Sequence, residues 1–359
     1  MKKVISHLFK ISALLFFVLL YSCSSGGSDD PGTTPVDPSP TNLVVNTEIV
    51  GTNAQNPNGD GSGKVNITAK ADNATEYKML INGETLSSST GAFSYTFTAP
   101  GVNDYSIIVS AYRGQKFVSK TINVKVNVQS KLVWSDEFNT DGRPDQSKWT
   151  YELGTGDNGW GNNELQTYTN RVENSVVSNG TLKINLIKEN YQGSAYTSAR
   201  LVSKGKYDFK YGKIEFRAKL PTGKGTWPAL WMLGANIDTV PWPNSGEIDV
   251  MEHVGNQQNR LFSTLHYPGH SGGNAVGGYT MVPTISTEFH VFSAEWTPTS
   301  IVFSVDDKPY FTFPNAPNLP FNHNYFIIMN MAMGGNFGGQ VDPAVTGATM
   351  EVDYVRVYQ

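Results

Sequence analysis

Glu247, Asp249 and Glu252 crowd three carboxyl groups into the run Glu247-Ile248-Asp249-Val250-Met251-Glu252, with apolar residues between them. In a regular strand Glu247 and Asp249 share one face and Glu252 points to the other. A β-bulge near Val250 and Met251 would turn Glu252 back beside them. The outer glutamates then sit with Cα atoms about 13 Å apart, and side chains leaning inward bring the carboxyls to about 5–6 Å. That separation suits a retaining glycosidase, in which one carboxylate attacks the anomeric carbon and the other protonates the leaving oxygen. Mutual repulsion would keep Glu252 protonated as a general acid and Glu247 ionised as the nucleophile, with Asp249 hydrogen-bonding and tuning Glu247. Two blander possibilities stand beside this one, a solvent-facing acidic strand and a metal site. The interleaved Ile248, Val250 and Met251 fit poorly with full exposure. A catalytic metal would want a defined set of His ligands, and the Pro-Gly between His266 and His270 breaks the helix that such a pair would need.

The rest of the chain supplies strands to carry these acids. Of 359 residues, 12% are aromatic and only 16% charged, with 35 Gly and 19 Pro; turns and β-formers predominate, and coiled coils or helical repeats are poor candidates. Net charge is −4 without a long basic run, so nucleic acid is disfavoured as a partner. A single cysteine, Cys23, excludes a disulfide framework and cysteine-rich zinc sites. Alternating stretches such as Thr181-Leu182-Lys183-Ile184-Asn185-Leu186 and Met350-Glu351-Val352-Asp353-Tyr354-Val355 recur without a helical period. They predict a large double-sheet sandwich of jelly-roll type over residues 130–359, with a groove between aromatic loops.

The acid run resembles the E-I-D-x-x-E signature of glycoside hydrolase family 16, and residues 132–359 look like its laminarinase-type β-1,3-glucanases. Trp134-Ser135-Asp136-Glu137-Phe138, Trp160-Gly161-Asn162-Asn163-Glu164-Leu165-Gln166, Tyr196-Thr197-Ser198-Ala199-Arg200 and Trp227-Pro228-Ala229-Leu230-Trp231 carry the likeness in order. It implies a concanavalin-like β-jelly roll with a substrate cleft and double displacement with retention. Glu247 is then the nucleophile, Asp249 its assisting acid and Glu252 the acid/base. The extra Met251 resembles the bulged laminarinase branch. The resemblance also implies sugar contacts from Asn163, Arg200, Trp227, Trp231 and Trp242, and from His266 near the acid/base. It implies no catalytic cofactor, but a structural calcium held by Glu137, Asp353 and the carbonyl of Gly180, since oxygen-only ligands suit that ion.

Upstream, Lys2, Lys3 and Lys10 precede an apolar run from Ile11 to Leu20, about half the length that a bilayer core demands. Residues 1–22 read as a lipoprotein signal, with Leu20-Tyr21-Ser22-Cys23 resembling a lipobox that lipidates Cys23. Residues 23–41 are too polar to bury a core and form a tether. From 42 to 129, short alternating runs predict a small immunoglobulin-like sandwich resembling PKD modules, serving as a spacer. Tyr77 and Tyr112 are its candidates for stacking on a sugar, and Asn56-x-Asn58-x-Asp60-Gly61 reads as a turn. The whole describes a monomeric, lipid-anchored, surface-exposed envelope protein of the outer membrane that acts on β-1,3-glucan. Mixed-linkage glucan, algal galactans such as agarose, porphyran or carrageenan, and a non-catalytic glycan-binding role are the competing functions.

Overall fold

The structure, a computed structural model, describes residues 38–359. The signal, Cys23 and most of the tether lie outside the described residues. Within them the chain is almost entirely β, with a single four-residue α-helix, Gly335–Gly338.

Strands Thr41–Ile49, Lys64–Asp72 and Ala92–Thr96 form a three-stranded sheet, and Glu84–Ser88, Glu76–Ile81, Gly101–Arg113 and Lys116–Val128 a four-stranded one. Their alternating apolar residues, among them Val65, Ile67, Met79, Ile81, Ile107 and Val109, close a core of their own. Tyr77 belongs to that core, with its hydroxyl accepting the Ala71 N–H, which removes it as a sugar platform. Tyr112 stacks on the exposed Phe117 instead. Asn56 to Gly61 is a turn, in which Asp60 accepts the Ser62 N–H.

The remaining strands build a sheet of ten and a sheet of eight, packed face to face around a second core. This is the double-sheet jelly roll expected from the alternation. The eight-stranded sheet carries the acids. Its order runs Val276–Met281, Arg260–His266, Glu247–His253, Thr226–Gly234, Tyr325–Met333, Arg200–Val202 and Thr150–Tyr151, all antiparallel. Tyr325–Met333 is buried at all nine positions. Its inward residues sit in the core, while Asn330 on the opposite face is covered by Trp231. Strand alternation is therefore invisible in its sequence, as in any strand covered on both faces.

Gly246 fixes where the acid strand begins. It has φ +72°, and a Cβ there would lie 2.0 Å from the Tyr325 hydroxyl oxygen. Only glycine combines that backbone conformation with so close an approach.

Candidate active site

The predicted bulge is present and is defined by both neighbours of the acid strand. Towards Thr226–Gly234, Leu230 pairs with Met251 and Trp231 with Asp249, which leaves Val250 without a partner. Towards Arg260–His266, Asp249 pairs with Thr264 and Glu252 with Phe262, again one residue out of step. Val250 and Met251 both enter the core. The doubled inward step brings Glu247, Asp249 and Glu252 onto one groove of about 760 Å³, which Trp227, Trp231 and Trp242 also line.

Each acid has a distinct environment. Glu252 is buried, and its two oxygens accept hydrogen bonds from Trp227 Nε1 (3.1 Å) and Thr264 Oγ1 (2.7 Å). Burial pushes its carboxyl up, and those two donors and the His266 charge pull part of the way back. Asp249 is pushed well above the ordinary range, first by burial and then by the charges of Glu247 and Glu252. Mutual repulsion therefore ranks below desolvation in both. Desolvation dominates because the groove walls, among them Trp227, Trp231 and Phe262, take water away from that face.

Charge couples Asp249 to Glu247, whose repulsion adds to the rise of the Asp249 carboxyl. Glu247 lies at the rim, where Trp242 Nε1 donates to its Oε2 at 2.8 Å. Trp242 is 44% exposed, so it forms a lip of the groove.

His266 makes its close contacts with Asp249 and Glu247, and its charge also reaches Glu252. Its Nε2 lies 3.3 Å from Asp249 Oδ2 and 3.8 Å from Glu247 Oε1, close enough for charge attraction. The cause is register, since His266 pairs directly with Glu247 across the ladder. Burial lowers the imidazole pKa, but the three carboxylates outweigh it and lift it to about 9. The Gly272 N–H opposes that rise, because it donates to Nδ1 and needs that nitrogen unprotonated. The Gly272 contact turns Nδ1 away from the acids, so the proton facing Asp249 and Glu247 sits on Nε2. The same tautomer bears on metal binding. Ligand atoms of Glu247, Asp249 and His266 lie within 4.8 Å of one another, yet Nε2 cannot ligate an ion while it carries the proton.

Arg200 is buried at the groove wall. Its Nε donates to Glu152 at 2.6 Å, and its guanidinium lies over the rings of Trp160 (4.4 Å) and Trp231 (4.8 Å) at the groove wall. Trp231 is anchored from below by Nε1 donating to Asn330 at 2.7 Å. Asn163 does not line the groove. It turns onto Asn336 (2.9 Å), and Asn162 takes the lining position beside Glu164. Left-handed backbone at Asn158, Trp160, Gly161 and Asn163 twists this loop, which turns neighbouring side chains in different directions.

Glu164 was not singled out from sequence. It accepts from Gln166 and Tyr168, and burial raises its carboxyl. Its position between two residues of a quoted motif was the available signal. The glycine-rich stretch after His266 also lines the groove, through Gly272, Gly273 and Gly277.

The proposed calcium residues sit elsewhere. Both oxygens of Glu137 accept from Arg356 (3.0 and 2.8 Å), and Asp353 pairs with Arg217 at 2.5 Å. Each carboxylate already meets a guanidinium, so as arranged the set does not fit a calcium ion; both ion pairs would have to open.

Comparison with known proteins gives a consistent result. The sequence model of Glycosyl hydrolases family 16 matches residues 162–356. A β-glucanase of Rhodothermus marinus is 47% identical over 245 residues, covering 64% of this chain and 85% of that protein. Glucan endo-1,3-beta-glucosidase A1 of Niallia circulans is 40% identical over 257 residues, which are 64% of this chain but 38% of that longer protein. Among solved structures, the R. marinus laminarinase superposes with a TM-score of 0.62 at 46% identity, over 64% of this chain and 98% of that one. LamA of Z. galactanivorans, solved in complex with laminaritriose and laminaritetraose, is 42% identical with a TM-score of 0.59, over 64% of this chain and 98% of that one.

Proposed function

This chain belongs to glycosyl hydrolases family 16, and from that premise we propose that it is a retaining endo-β-1,3-glucanase acting on laminarin-like glucans. The observation that carries the proposal is the bulge at Val250, which returns Glu252 to the face of Glu247 and Asp249.

Glu247 attacks the anomeric carbon. Trp242 occupies its Oε2 and leaves Oε1 without a hydrogen bond, available to form the glycosyl ester. Glu252, whose carboxyl burial pushes upward, gives its proton to the departing glycosidic oxygen. The resulting carboxylate then removes a proton from water, which attacks the same carbon and restores Glu247. Asp249, itself held largely protonated, keeps negative charge from accumulating beside the nucleophile. Trp227, Trp231 and Trp242 offer ring faces to the C–H surfaces of the sugars.

A neutral polymer fits the groove better than a sulfated galactan. Among the described residues, Arg200 is the one Lys or Arg lining it, and Glu152 neutralises that charge, whereas Glu164, Glu247, Asp249 and Glu252 are acidic. Lipidation at Cys23, envelope anchoring and a monomeric state complete the proposal and rest on the sequence alone. Cys23→Ala should move the protein from the membrane to the soluble fraction.

The test is proton NMR of laminarin hydrolysis, recording the anomer formed before mutarotation. Early β-anomer that disappears in Glu252→Ala is expected. Early α-anomer refutes double displacement, and intact laminarin refutes the substrate.

A further inference from the structure

The bulge that delivers Glu252 leaves Val250 without a cross-strand partner, and a buried carbonyl left unpaired is costly. Val250 O is taken instead by the hydroxyl of Ser263, at 2.7 Å, from the neighbouring strand. Ser263 is fully buried, and its oxygen is also bonded to the hydroxyl of Tyr310. The direction of this relay follows from proton count. Ser263 has one hydroxyl proton and gives it to Val250 O, so Tyr310 must donate to Ser263. Tyr310 comes from Lys308–Pro314 in the opposite, ten-stranded sheet, so the relay ties the bulge to the far side of the sandwich. The residue after Ser263 is Thr264, whose hydroxyl holds Glu252 Oε2. One short segment therefore fixes both the backbone kink beneath the acid and the acid's own oxygen.

We propose that Tyr310 and Ser263 are positioning residues for the general acid: their hydroxyl relay pins the Val250 carbonyl and so sets where Glu252 stands against the glycosidic oxygen. The proposal deepens the functional reading above and rests on Glu252 being the acid. Neither residue touches the reacting atoms.

The test exploits the different needs of two leaving groups. Cleaving glucan requires protonation of a sugar oxygen, whereas a dinitrophenyl β-laminaribioside departs without it. kcat/KM reports the glycosylation step for both substrates. Glu252→Gln should lose activity on laminarin and retain kcat/KM on the aryl glycoside; equal loss on both would sink the assignment of the acid itself. Given that behaviour, Ser263→Ala and Tyr310→Phe are expected to lose about tenfold to a hundredfold on laminarin, the scale set by displacing a catalytic group by about 1 Å. On the aryl glycoside both variants should stay within about twofold of wild type. Equal losses on the two substrates, or none on laminarin, overturn the positioning role. Tyr310→Phe deletes one oxygen and keeps the ring, so it carries the test if Ser263→Ala does not fold.

Discussion

Replacing His253 should make this protein less sensitive to acid. His253 follows Glu252 but points away from the groove. It is fully buried, and neither ring nitrogen has a hydrogen-bond partner. Burial lowers its pKa from 6.5 to about 4. At pH 7 the ring is neutral whether the chain is folded or not. As pH falls below 6.5 the unfolded chain binds a proton that the folded one refuses, so each pH unit removes about 1.4 kcal/mol of stability. The loss ends near pH 4, where the folded state also titrates, and by then amounts to about 3 kcal/mol. His253→Leu abolishes that term and removes two unpartnered polar atoms, whose burial costs about 1–3 kcal/mol each. The variant should be at least as stable as wild type at pH 7, with an advantage that widens by about 3 kcal/mol at pH 4. Urea unfolding at pH 7, 5.5 and 4, followed by tryptophan fluorescence, measures the difference. Carboxylates that titrate in the same range do so in both proteins and cancel. A stability difference that stays constant from pH 7 to pH 4 would refute the linkage.

Other consequences concern the groove and the distant ion pairs. Trp227→Phe removes a donor that favours ionised Glu252, so the acid's pKa should rise and the basic limb of the kcat/KM profile move to higher pH. A limb that moves down or stays fixed contradicts that contact. Arg200→Lys loses the planar stack between Trp160 and Trp231 and the geometry of the Glu152 pair. Laminarioligosaccharide affinity, read by intrinsic fluorescence, should fall by about tenfold, as for a loss of 1–2 kcal/mol. The arginine partners of Glu137 and Asp353 predict that millimolar calcium leaves the Tm unchanged. A saturable rise that is absent in Asp353→Asn would establish a calcium site there instead.

Much of the site was legible because its residues lie close together along the chain. Glu247, Asp249 and Glu252 occupy one short run, and the parity mismatch at Glu252 demands a bulge if all three are to work together. The tryptophans that precede the acid run could be listed from the sequence. What each contributes could not. Trp242 donates to Glu247 over five residues, but Trp231 reaches Asn330 across 99 and Arg200 reaches Glu152 across 48. Asn163 turns onto Asn336, a contact 173 residues away in sequence, and Glu164 escaped notice because burial is not written in its neighbours.

Composition and two-residue alternation by themselves determined an all-β chain, and the spacing of three acids determined the reaction they suit, since both are local properties of strands. Desolvation and register were decided only by closing the sandwich. The first raises Asp249 and Glu252, the second sets His266 against Glu247, and the Tyr310 relay depends on bringing the two sheets face to face. Those effects depend on which strands become neighbours and on what excludes water above them, and neither is a property of any single segment.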